Sequence, residues 1–128
     1  MTKQISNYED VFDSRDVLER IEELESQLDE LLQDYPEEQA SIEEIQEELD
    51  LMYSIKDQYY SNQEFEGGVI FIRDSYFEEY AHELAEDIGA ISNDDHWPNY
   101  CIDWEWAARE LQMDYTNIDF DGVMYWAR

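Results

Sequence analysis

Apolar residues fall into a helical rhythm soon after the chain begins. Val17, Ile21, Leu24, Leu28, Leu31 and Tyr35 follow one another in alternating steps of four and three. That spacing keeps them on one side of a helix, as the a and d positions of a heptad. Asp13 or Ser14 offers a side-chain oxygen to the first free amides, and Asp16 suits the positive end of the helix dipole. Pro36 ends the segment, because the residue before a proline is pushed out of the helical region. It also fits the first turn of a following helix. Ile42, Ile45, Leu49, Met52 and Tyr59 make the stripe of that second helix, expected from about Glu37 to Tyr59, with Lys56 interrupting it. Two helices joined by so short a turn predict an antiparallel, coiled-coil-like helical hairpin over residues 1–66.

The pattern then changes. Residues 61–68 read as a polar connector ending in Gly67 and Gly68, which places a domain boundary between 66 and 67. Val69 to Ile72 is a short apolar run, either a strand or an extended lead-in. Asp74 or Ser75 is expected to cap a helix reaching Asp87, with Phe77, Tyr80, Ala81, Leu84 and Ile88 facing inward. Ser75 and Glu78 have capping-box spacing, and Gly89 stands where a helix commonly turns left-handed. A loop containing Pro98 leads to Asp103, which can cap a helix from Trp104 to about Met113. Two runs, Tyr115 to Phe120 and Val123 to Trp126, flank Asp121-Gly122, a strong two-residue hairpin signal. The expected fold class is α+β: a helical hairpin, then a small helical module over residues 67–128 closed by a β-hairpin.

Charge alters the picture more than any motif does. The 128 residues hold 35 Asp and Glu against seven Lys and Arg, a net charge of −28. Such a surplus repels itself, whereas a net charge of roughly 2–8 serves the solubility of a small domain. Aromatic residues make up 15% of the chain, so this is not a disordered acidic tail. Bare nucleic acid and anionic membranes would repel it. A basic partner fits; adaptation to high salt or an undirected acidic surface is the alternative.

The acids belong to patterned elements rather than to a tail. Twenty-one lie in residues 1–66 and fourteen in 67–128. A duplex carries one phosphate charge per about 1.7 Å, or roughly 18 over 30 Å, the span of twenty-odd helical residues. Glu19, Glu22, Glu23, Asp29, Glu30, Glu43, Glu44, Glu47, Glu48 and Asp50 all fall off the apolar stripes. Ordinary coiled coils alternate such acids with Lys and Arg, which are scarce here. Glu78, Glu79, Glu83, Glu86, Asp87, Asp94 and Asp95 extend the candidate surface into the second half.

Catalytic and metal chemistry finds little support. Asn117, Asp119, Asp121 and Gly122 match the start of a calcium loop, but its twelfth position is Arg128 rather than Glu. His82 and His96 have no two-histidine metal spacing, and close carboxylate pairs are unavoidable at this acid density. Phosphate-binding and nucleophile-elbow motifs are missing from the sequence. No cofactor, no metal and no enzymatic activity are therefore expected. Cys101 is expected in an aromatic core, and so are Trp97, Tyr100, Trp104, Trp106, Tyr115, Tyr125 and Trp126, with one or two of these aromatics exposed at an interface. A single cysteine, a polar start and no long apolar run lead to the expectation of a protein of the bacterial cytoplasm, off the membrane.

Three segments, residues 72–91 (IRDSYFEEYAHELAEDIGAI), 100–111 (YCIDWEWAAREL) and 120–126 (FDGVMYW), resemble the C-terminal domain of the ArdA-type antirestriction family. The resemblance covers roughly residues 70–128; the preceding helical hairpin departs from that family's plan. It implies mimicry of B-form DNA and occupation of the DNA site of a type I restriction–modification enzyme. It also implies a homodimer, with Leu84, Ile88, Ala90 and Ile91 in the self-associating segment. A CRISPR surveillance complex with a basic channel is an alternative target, and a coiled-coil adaptor without mimicry is the alternative function.

Overall fold

In a computed structural model, residues 2–91 and 97–128 are described. Asp94, Asp95 and His96 lie outside them. A short strand β1 (Val11–Asp13) runs into α1 (Ser14–Asp34), followed by α2 (Gln39–Gln58) and α3 (Asn62–Gly67). Strand β2 (Ile70–Arg73) leads through a 3-10 turn to α4 (Phe77–Asp87); then come α5 (Trp104–Gln112), β3 (Thr116–Phe120) and β4 (Val123–Ala127). The strands form one antiparallel sheet in the order β1-β2-β4-β3. No helix among the described residues is long and apolar enough to cross a membrane.

Alternation along the strands builds two apolar layers. Phe12, Phe71, Ile118, Phe120, Tyr125 and Ala127 meet Val17, Ile21, Leu24, Leu49, Met52 and Ile55 of α1 and α2. The neighbouring residues Ile72 and Trp126 point the other way, toward Phe77, Ala81 and Ala108 of α4 and α5. Such two-residue periodicity sends adjacent side chains to opposite faces. The helix pair thus covers one face of the sheet and α4–α5 the other. The first apolar cluster draws on both sides of the 66/67 position.

Several local expectations are corrected. The chain before α1 supplies an edge strand, whose Phe12 stacks on Phe71 at 4.8 Å between ring centroids. Of the two residues expected to cap α1, Asp13 does so, accepting from the Arg15 amide. Ser14 is buried instead, accepting from Val69 N–H at 2.7 Å and donating to the Phe65 carbonyl at 2.6 Å. Helix α2 begins at Gln39, so Pro36 stays in the turn, and buried Ile55 carries the stripe past Lys56. The connector contains α3, capped by Ser61 on Glu64 N–H and anchored by buried Phe65. Neither Asp74 nor Ser75 caps α4: Trp126 Nε1 donates to Asp74 and Arg73 donates to Ser75.

The closing turn behaves as its sequence requires. Asp121 and Gly122 both take positive φ, 50° and 85°, the conformation that matches the right-handed strand twist. The far edge of β3 is covered where Gln58, at the end of α2, pairs with Asp119. Its amide nitrogen donates to the Asp119 carbonyl and its oxygen accepts the Asp119 N–H, both at 2.7 Å. A side-chain amide here does what a further strand would do.

Candidate partner-binding surface

Burying Val17, Ile21 and Leu24 against the sheet turns the opposite side of α1 to solvent. Glu19, Glu22, Asp29 and Glu30 are exposed there, and Glu43, Glu44, Glu47 and Asp50 are exposed on α2. The 21 residues of α1 span about 31 Å at 1.5 Å per residue. Over that length α1 carries eight acids and α2 six, against roughly 18 phosphate charges on a duplex of equal length. Density approaches that of DNA on this layer alone.

Two of the expected surface acids are instead part of the fold. Arg20, only 13% exposed, donates from Nε and Nη2 to the two Glu48 oxygens at 2.5 and 2.9 Å. Glu23 accepts from the Thr2 amide at 2.7 Å and from the Thr2 hydroxyl, and lies 3.5 Å from Arg20. These Thr2 hydrogen bonds hold the Glu23 carboxyl below the usual range. Both carboxylates are half-buried and already hydrogen-bonded within the chain, which withdraws them from the surface a partner would meet.

The remaining arginines are also engaged. Arg15 pairs with Asp13 at 2.7 Å, and that hydrogen-bonded pair lowers the Asp13 pKa. Arg73 donates to the Asn7 carbonyl, Arg109 pairs with Glu105 and Arg128 sits over the Tyr115 ring. Every arginine is thus occupied within the chain, so the exposed acids on the outer sides of α1 and α2 have few internal counterions.

The second group of acids sits behind the sheet. Glu78, Glu79 and Asp87 are exposed on α4, whereas Glu83 accepts from the Tyr76 hydroxyl at 3.0 Å and Glu86 faces His82 Nε2 at 3.1 Å. His82 also stacks on Trp104, with centroids 4.2 Å apart, tying α4 to α5. Because α1–α2 and α4–α5 cover opposite faces, the acids expected to act together belong to two separate outer layers. Asp94 and Asp95 lie outside the described residues.

The segment expected to self-associate divides as well. Ile88, read from sequence as inward-facing, is 70% exposed; Ala90 is exposed, while Leu84 and Ile91 are half-buried. Near it in sequence, Trp97, Tyr100 and Trp106 are 74%, 67% and 61% exposed, more of the aromatic set than the one or two expected outside the core, and Cys101 is exposed, contrary to its expected core position. Helical phase carried the missed signal for one of them. Trp104, Ala107, Ala108 and Leu111 define the inner stripe of α5, and Trp106 falls outside it.

The calcium-loop lookalike is a turn. Asp119 Oδ1 accepts the Gly122 N–H at 2.8 Å, closing the β3–β4 connection. Among the described residues no three acids, histidines or cysteines gather as a metal site. No protein-family model, curated protein or solved structure matches the chain.

Proposed function

We propose that this chain is a DNA mimic that occupies the DNA-binding site of a basic host defence protein, with a type I restriction–modification enzyme as the first target. In this reading α1 and α2 act as an antiparallel, coiled-coil-like rod presenting carboxylates in place of phosphates, and the protein performs no chemistry of its own. The observation that carries the proposal is the anchored, uncompensated acidity of that layer. Glu19, Glu22, Asp29, Glu30, Glu43, Glu44, Glu47 and Asp50 stand exposed on helices whose other sides are buried against the sheet. Pre-positioned charge of this kind favours fast, salt-sensitive association with a basic groove. The resemblance of residues 70–128 to the ArdA-type family supports the choice of target. Self-association through the exposed end of α4 belongs to the same proposal.

Competition with duplex DNA for a purified type I restriction–modification enzyme tests it, measured across a range of salt. The expected result is mutually exclusive binding that weakens steeply as salt rises. Replacing Glu43, Glu44 and Glu47 together by Gln should weaken it further. Simultaneous binding of DNA and this protein, or indifference to the triple replacement, would refute the proposal.

A further inference from the structure

Between α1 and α2 lies an open cleft of about 320 Å³ whose chemistry differs from that of the surrounding acidic surface. Its floor includes Leu28, half-buried, and Leu49, buried. Its rim carries Glu25, Asp29 and Asp50, and the Tyr53 ring, 37% exposed, forms one wall. Gln46 completes the lining, and no basic residue contributes to it.

In most paired helices the aliphatic stems of Lys and Arg lie across such a seam and cover its apolar floor. Here the flanking positions are carboxylates and one amide, which leaves a floor of leucine beneath a rim of negative charge. A long cationic side chain from outside satisfies both layers at once: its methylene stem covers the leucines and its head meets the carboxylates. Guanidinium suits the rim better than ammonium. Its planar fork can bond more than one carboxylate, and its face can stack on an aromatic ring.

We propose that this cleft receives an arginine side chain of the partner, with the stem on Leu28 and Leu49 and the guanidinium among Glu25, Asp29, Asp50 and Tyr53. The inference rests on the reading that the partner is basic, and it adds a specific anchor to what would otherwise be a diffuse field. Charge complementarity favours this occupant over an apolar helix, which would leave three carboxylates facing a hydrophobic surface.

The test uses the full chain and Nα-acetyl-arginine methylamide as probe, followed by NMR of the Leu28 and Leu49 methyls and the Tyr53 ring. Saturable shifts confined to these groups are expected, with the corresponding lysine compound binding more weakly. Gln46→Trp fills the cleft from an exposed position without altering net charge, and should weaken binding about tenfold, equivalent to roughly 1.4 kcal/mol. Tyr53→Leu, equally charge-neutral, provides a second variant, and thermal unfolding verifies that each is folded. Shifts spread evenly over acids outside the cleft, or binding unchanged in both variants, would overturn the assignment. Neither outcome depends on whether the parent protein competes with DNA, so failure of the cleft and failure of the mimicry are separately visible.

Discussion

Arg20 grips Glu48 through two hydrogen bonds of 2.5 and 2.9 Å, joining α1 to α2 through a pair whose side chains are only 13% and 18% exposed. Glu47, one residue earlier, is exposed and makes no ion pair among the described residues. The two glutamates should therefore respond in opposite ways. Glu48→Gln is expected to cost about 1–3 kcal/mol, the range for a hydrogen bond to a charged group and the partner it leaves unmatched. Glu47→Gln should be neutral or slightly stabilising, since it relieves like-charge repulsion. Urea unfolding of both variants measures the contrast.

Ser14 makes a second discriminating test. Its hydroxyl accepts from Val69 N–H and donates to the Phe65 carbonyl in a fully buried site where α1, α3 and the start of β2 converge. Ser14→Ala should lower stability by about 1–3 kcal/mol, because buried polar groups lose their partner and water has no access. Equilibrium denaturation reads the loss, and a value near zero would argue against the convergence.

Alkaline pH should destabilise the fold through buried phenols. Burial pushes Tyr125 up to about 12 and raises Tyr59 and Tyr115 further. A phenol with its folded pKa above the unfolded value of about 10 contributes stability that is fully present below that value. The contribution is lost as pH rises toward the folded pKa. Tyrosinate absorbance should show these three ionising above the ordinary tyrosine range, with their titration accompanied by loss of helical circular dichroism.

Salt should act in the opposite direction. At a net charge of −28 the folded chain repels itself, and the screening length falls from about 30 Å at 0.01 M to about 8 Å at 0.15 M. The melting temperature is expected to rise over that interval. The rise should be smaller after Glu43, Glu44 and Glu47 are replaced by Gln. Differential scanning calorimetry in a series of NaCl concentrations reads both.

Helices, caps and turns were legible where the signal is local. The heptad steps from Val17 to Leu28 place one side of α1 inward, and Asp121-Gly122 makes the turn that its positive φ values demand. The Ser61–Glu64 spacing of α3 was equally present in the chain, but six residues of mixed polarity looked like a connector until Phe65 found its core. Strand β1 could not be read from three residues, because its identity depends on β2, more than fifty positions away. For the candidate surface, density of charge was visible in the sequence, while the status of each acid was not. Glu47 and Glu48 are adjacent and chemically identical, and only one of them faces Arg20.

By itself the sequence determined that the protein carries a dense acidic coat on amphipathic helices, since periodicity and charge are properties of the chain. Only the tertiary structure decided which acids are free, which are consumed by Arg20 and Thr2, and that the sheet holds the two acidic groups on opposite layers. It also decided that a leucine-floored cleft stays open between α1 and α2. Those facts depend on contacts between residues far apart in the chain, where the energy of a charge is set by what burial brings beside it.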